Sequence, residues 1–170
     1  MKTLTLLRHA QAGWQHSKPA SDFERPLDRR GLADIASISG RLRSRQLIPD
    51  LILTSPAVRA VQSAESVARI LGVAMHCVRR DDRLYLATPA EMLIVLQDLG
   101  RMIGHAMLVG HNPGLTTLMR EFNANPSLDE LVTAAVATMV FDTDSWRELE
   151  PGAARELARD SPHRFFRPRI

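Results

Sequence analysis

Short runs of β-type apolar residues alternate along the chain with segments whose apolar positions recur every three or four residues. Thr3–Leu7, Asp50–Thr54, Val73–Val78 and Ala106–Val109 are the short runs, and each reads as a strand. Between the first two, a polar stretch broken by Pro19 and Pro26 leads into a helix pattern, with Leu32, Ile35, Ile38 and Leu42 on one face. After the second run, Ser55-Pro56 offers a cap followed by a first-turn proline. Ala60, Ala64, Val67 and Leu71 then form a stripe that Gly72 closes. Thr88-Pro89-Ala90-Glu91 has the form of a capping box, and its helix runs through Met92, Leu96 and Leu99 toward Gly100. Gly110-His111-Asn112-Pro113 starts another helix, with Leu115, Leu118, Met119 and Phe122 as its apolar face. Ala135–Phe141 predicts a further strand. Asp142-Thr143-Asp144-Ser145 would turn it into an antiparallel strand around Trp146–Leu149. Beyond Glu150 no pattern stands out.

Strand–helix alternation predicts an α/β fold of three layers, a mostly parallel central sheet with helices on both faces. The length of 170 residues suits a single domain. In such sheets ligands bind where the strands end at their carboxyl side. Chemistry is therefore expected just past Leu7, Thr54, Val78 and Val109.

Composition narrows the classes. Hydrophobic residues at 45% and charged residues at 24% describe a globular chain rather than a disordered one. No apolar run is long enough to cross a bilayer, so no membrane partner is expected. The opening Met1–Leu7 meets Arg8 and His9 without the longer apolar stretch of a signal peptide, which makes a cytoplasmic location the expectation. The single cysteine, Cys77, lies in the run Val73–Val78 and reads as a buried thiol, and no Cys/His spacing resembles a zinc site. The net charge is only +3. Part of that excess sits in Arg164, Arg167 and Arg169, with Phe165 and Phe166 as the only neighbouring aromatics, which reads as a solvated tail rather than a nucleic-acid surface.

Arg8 and His9 stand just past the first strand, Arg59 in the first turn of the helix after the second, and His111 just past the fourth. Taken singly each has an ordinary structural explanation. Together they place two histidines and two arginines on one rim. A cation in a helix's first turn opposes the dipole, so Arg59 needs an anion nearby to justify its place. Neutral imidazole is a competent nucleophile near neutral pH. Guanidinium forks bind phosphoryl oxygens and stabilise their charge during transfer. A second histidine, protonated by a bound dianion, adds a charged donor.

The segment Leu6-Leu7-Arg8-His9-Ala10 resembles the Arg-His-Gly signature of the histidine phosphatase superfamily, with alanine in place of the glycine. Thr54-Ser55-Pro56-Ala57-Val58-Arg59-Ala60-Val61-Gln62-Ser63-Ala64 resembles its second block, and Val109-Gly110-His111-Asn112-Pro113 its third. The resemblance implies a phosphoglycerate-mutase-like fold, with His9 as the nucleophile that becomes phosphorylated. Arg8, Arg59 and His111 would bind the phosphate, and neither a metal nor an organic cofactor would be needed. Asp22-Phe23-Glu24-Arg25-Pro26-Leu27 followed by Gly31 resembles the small SixA-type subgroup, which acts on phosphohistidine in signalling proteins.

That subgroup suggests a phosphorylated protein as partner, while a small phosphorylated metabolite remains the alternative. A third reading is a phosphoprotein- or nucleic-acid-binding module without turnover, although a pure binder has no use for a nucleophile. Larger superfamily members take a general acid from the loop after the third strand. Here that loop offers Asp81 and Asp82, which read equally well as a solvated pair beside Arg80 and Arg83. Asp22 and Arg25 are candidates for the pocket edge or for pinning the polar loop. His16 lies in the loop near the site, and His76, His105 and His163 have no companions that suggest a role. Neither a P-loop nor a Gly-x-Ser-x-Gly elbow is present.

Overall fold

The strand β1, Lys2–Arg8, is the centre of the architecture: Leu4, Leu6 and Leu7 are wholly removed from solvent. Each such leucine contributes about 1.5–3 kcal/mol relative to an exposed one. A computed structural model describes residues 1–14 and 21–163. One six-stranded sheet takes the order β3 (Val78–Arg80), β2 (Leu51–Thr54), β4 (His105–Gly110), β1, β5 (Val136–Phe141), β6 (Ala154–Asp160). The first four strands are parallel to one another, and β5 and β6 run antiparallel.

Helices α1 (Arg29–Ser44) and α2 (Val58–Leu71) cover one face, packing Ile35, Ile38, Leu42, Ala64, Val67 and Leu71 on Leu7, Ile52, Met107 and Val109. Helices α3 (Pro89–Gln97) and α4 (Gly114–Phe122) cover the other, where Met92, Leu96, Leu115, Leu118 and Phe122 meet Leu4, Leu6, Leu53 and Leu108. The expected three layers and mostly parallel sheet are what the chain forms.

Local signals at the helix ends act largely as chemistry dictates. Gly72 closes α2 in the left-handed conformation at φ 77°. Thr88 and Glu91 form both halves of the capping box on α3. Asp28 caps α1 by accepting from Gly31 N at 2.7 Å. The Ser55-Pro56 pair does not itself cap α2, which begins at Val58 after Ala57.

Four expectations need correction. Leu32 is half exposed, and α1 turns Gly31, Asp34 and Ser39 inward beside Ile35, Ile38 and Leu42. The run Val73–Val78 is not a strand: a 3-10 turn occupies Met75–Cys77 and pairing starts only at Val78. The resulting β3 lies at the sheet edge, where its two arginines reach solvent and leave no apolar alternation to read. Cys77 is accordingly half-buried, not enclosed in a strand. Trp146–Leu149 is also not a strand. Trp146 buries its indole and donates from Nε1 to Ile103 O at 2.7 Å within a 3-10 turn, and β5 pairs instead with β6, a charged edge strand. His16 and Arg164, Phe165, Phe166, Arg167 and Arg169 lie outside the described residues.

The loop leaving β1 is held against α1 where no side chain intervenes. A Cβ on Gly31 would lie 2.1 Å from Gln11 O, whereas one on Gly40, in the same helix, would meet nothing within 4 Å. Gly31→Ala is expected to destabilise the protein by about 1–3 kcal/mol. Gly40→Ala is expected to stabilise it by about 0.5–1 kcal/mol. Thermal or urea unfolding of both variants checks the pair, and equal effects would contradict this packing.

Candidate active site

Parallel register brings the four residues together. Arg8 pairs with Gly110 and Thr54 with Val109, so β1, β2 and β4 end at one level. Main-chain bonds carry the alignment one residue further: His9 N donates to Gly110 O at 3.1 Å, and Ser55 N to Val109 O at 3.0 Å. His9 and His111 thus leave neighbouring strands side by side, their ring centroids 5.1 Å apart.

His9 is oriented by its own backbone. Its Nδ1 lies 2.8 Å from Ala10 O. A carbonyl can only accept, so Nδ1 carries the proton and Nε2 keeps its lone pair. Arg59 Nε donates toward that Nε2 at 3.3 Å. Ala10 is pinned in turn, its N donating to Ser63 Oγ at 3.0 Å, while Ser63 Oγ donates to Arg59 O at 2.8 Å. One helix turn of α2 therefore supplies both the guanidinium and the hydroxyl that secures the loop following His9.

Arg59, only 3% exposed, also donates from Nη1 to Asp22 O at 2.6 Å and pairs through Nη2 with Asp22 Oδ2 at 3.0 Å. Arg8 is held from the opposite side of the sequence. Its Nη1 donates to Glu130 Oε1 at 3.0 Å and to Leu131 O at 2.8 Å. Asn112 Nδ2 donates to the same two oxygens, at 2.8 and 2.9 Å, which ties the first strand's arginine to the segment bearing His111. A cleft of about 360 Å³ lined by Arg8, Asn112, Thr116, Thr117, Arg120 and Glu130 shares Arg8 with this site.

His111 Nε2 lies 2.7 Å from Ser55 Oγ, and its Nδ1 is buried with no partner. Arg8 Nε is likewise buried and unpartnered. Burial pushes the His9 imidazole down to about 4, with the charges of Arg59, Arg8 and Arg25 adding to the effect against the Ala10 bond. Burial also pushes His111 down to about 3, assisted by His9 and Arg59. Both rings are neutral at neutral pH.

The loop after β3 contributes differently from expectation. Asp81 caps the 3-10 turn Asp82–Leu84, and its carboxylate accepts from Arg83 Nη2 at 2.7 Å and Nε at 3.0 Å. Those hydrogen bonds hold Asp81 below the usual carboxylate range, which leaves no proton to give near neutral pH. Asp82 is exposed. What this loop brings to the site is Tyr85, edge-on to His111 at 5.7 Å and to Phe23 at 5.1 Å. Ser63, Tyr85 and Glu130 have no candidate role in the sequence, and Ser55 is read there only as a helix cap. Only Ser63 carried a signal there, its i,i+4 spacing from Arg59 in a helix. Among the described residues no group of three or more His, Cys, Asp or Glu is arranged to hold a metal ion, and no helix is long and apolar enough to cross a membrane.

The model of the histidine phosphatase superfamily (branch 1) matches residues 4–84, which include Arg8, His9 and Arg59. Just under half of the chain is thus similar to this superfamily, and the similar part carries three of the four clustered side chains. His111 lies beyond the match and joins the site through the β1–β4 register. SixA from Agrobacterium tumefaciens is 29% identical, with a TM-score of 0.69 over 81% of this chain and 90% of that one. The protein histidine phosphatase SixA complexed with tungstate shares the fold at 22% identity, with a TM-score of 0.77 over 94% of this chain and 97% of that one. An uncharacterized protein of Mycobacterium tuberculosis is 26% identical over 157 residues, 87% of this chain and 94% of its own. The sheet and its four helices are those of the phosphoglycerate-mutase-like phosphatases.

Both imidazoles take up protons more readily in the unfolded chain than in the fold. They therefore add stability above about pH 6.5 that is lost as the pH falls toward 4. NMR titration is expected to show the His9 and His111 rings unprotonated from pH 8 down to about 5. Urea unfolding should show stability falling over pH 6.5 to 4, with a shallower fall in His111→Asn. A ring that titrates near 6.5 would contradict the burial argument.

Proposed function

We propose that the protein is a phosphatase that works through a phosphohistidine at His9 and removes phosphate from histidine side chains of other proteins. The observation that carries this reading is the unprotonated Nε2 of a neutral, buried His9 set among Arg59, Arg8 and His111, of which the last two keep buried nitrogens without partners. Such nitrogens call for acceptors, and a tetrahedral phosphoryl group offers three oxygens.

In the first step His9 Nε2 attacks phosphorus and the bond to the substrate nitrogen breaks. The substrate ring, already protonated on its other nitrogen, leaves as neutral imidazole. In the second, water attacks the phosphohistidine and gives up a proton to the solvent, and inorganic phosphate leaves as the His9 lone pair returns. The guanidinium groups balance the charge on the transferring oxygens.

The leaving group supports the substrate class. An alkyl phosphate releases an alkoxide that needs an acid. Asp81 is ionised by its Arg83 contacts, and the pocket wall beside His111 is the Tyr85 ring rather than a carboxyl group. Phosphoimidazole asks less of its surroundings. The SixA proteins among the structural relatives, one of them a protein histidine phosphatase, support the same substrate class. A cytoplasmic phosphoprotein is the partner this implies.

The test is release of inorganic phosphate from a phosphotransfer domain phosphorylated on histidine. His9→Ala should lower the rate at least about a thousandfold with the fold retained. Arg59→Ala should lower it about a hundredfold or more. Quenching during turnover should leave an acid-labile phosphoryl group on His9. A high rate on one phosphomonoester with none on phosphohistidine would assign a small metabolite instead. Full activity in His9→Ala would end the nucleophile assignment.

A further inference from the structure

Arg25 stands outside the four residues discussed so far, yet a short chain of contacts leads from it to the nucleophile. Asp22 bridges two guanidinium groups: its Oδ2 lies 3.0 Å from Arg59 Nη2 and its Oδ1 lies 3.1 Å from Arg25 Nη2. Arg59 in turn donates to His9 Nε2. One carboxylate thereby gathers a second arginine beside the arginine that already touches the nucleophile.

The other side of Arg25 is fixed as well. Ala12 pairs with Leu27 in an antiparallel bridge, and Gly13 N donates to Pro26 O at 3.2 Å. The two loop segments therefore run alongside each other and bring Trp14 opposite Arg25. The Arg25 guanidinium carbon lies 5.6 Å from the Trp14 ring centroid, within cation–π reach. Trp14 is itself exposed, and among the described residues its ring lies against the Arg25 guanidinium. With one face against an indole and one nitrogen tied to Asp22, the planar fork loses little further freedom when it binds.

One of its donors is unused. Arg25 Nε is buried and has no hydrogen-bond partner, the same condition as Arg8 Nε and His111 Nδ1 in the phosphate cluster. A buried guanidinium N–H without an acceptor is costly unless a ligand completes it.

We propose that Arg25 is a third guanidinium of the phosphate pocket, held there by Asp22 and Trp14, and that it contacts the phosphoryl group of the substrate. The proposal rests on the phosphatase reading above and adds a binding residue to it. Trp14 and Asp22 are positioning residues: neither touches the phosphoryl group, Trp14 fixes the Arg25 plane, and Asp22 fixes the Arg25 and Arg59 planes together.

The probe is inorganic phosphate, titrated into the full-length protein by calorimetry, with thermal unfolding measured on the same samples. Arg25→Gln should weaken phosphate binding about tenfold, the scale of one charge-assisted hydrogen bond, and raise KM on the phosphorylated protein by a similar factor. Arg25→Lys should recover only part of this, because the charge returns without the fork. Trp14→Ala and Asp22→Asn keep the Arg25 charge but release its plane, and each should weaken phosphate binding about two- to fivefold. Trp14→Ala, which leaves the Asp22–Arg59 pair in place, also serves if Arg25→Gln fails to fold.

Phosphate binding by Arg25→Gln equal to that of the unaltered protein would overturn the proposal and leave the phosphatase reading intact. Tighter phosphate binding in Asp22→Asn would overturn it too, since Asp22 would then be competing with the ligand instead of holding Arg25. An unaltered protein that neither binds phosphate nor hydrolyses any phosphorylated substrate would remove the phosphatase reading and this inference with it.

Discussion

The hydrogen bond from His9 Nδ1 to the carbonyl of Ala10 determines what the rest of the pocket receives. Were the proton on the other ring nitrogen, the lone pair would point at a backbone oxygen and the arginines would surround an N–H. The bond needs Ala10 to stay where it is, and Ser63 of α2 sees to that by accepting from Ala10 N. Ser63 is anchored on the carbonyl of Arg59, so the residue that orients the loop and the residue that faces the lone pair belong to one helical turn. Local backbone chemistry and helix geometry thus combine at a single ring nitrogen.

The sheet supplies the level at which this happens. A parallel strand delivers its carboxyl end to the same side as its neighbours. The β1–β4 and β2–β4 registers set Arg8, His111 and Ser55 within reach of each other although the chain separates them widely. The arginines are then trimmed from outside by carboxylates, Glu130 for Arg8 and Asp22 for Arg59. These exposed acids add little to stability. Their contribution is to hold guanidinium planes that a free arginine would not keep.

How far the sequence could be read depended on what each residue type announces. Arg8, His9, Arg59 and His111 were legible because each follows a strand end that hydrophobic patterning locates. The central strands and all four helices were legible for the same reason. The edge strands β3 and β6 were not, since edges carry charge on positions that an interior strand fills with apolar side chains. Leu32 misled because a stripe drawn at every third or fourth position ignores the close approach of Gln11 to Gly31, which rotates the buried face. Asp81 leaves two readings open in sequence because an aspartate two residues before an arginine suits a turn as well as acid catalysis, and its carboxylate pairs with Arg83. The site contacts of Ser55 and Ser63 are not legible in sequence, because His111 and Ala10 lie far away in the chain.

The two imidazoles sit against each other without a proton between them beyond those of their neutral forms. A dianion entering between them would oppose the burial that keeps His111 from ionising. Occupancy of the pocket and hydrogen-ion uptake therefore become one linked equilibrium, and the heat of ligand capture will vary with the ionisation enthalpy of the buffer. Acidification of the medium would tighten the grip on a doubly charged oxyanion even though no side chain in the empty pocket has yet changed its charge.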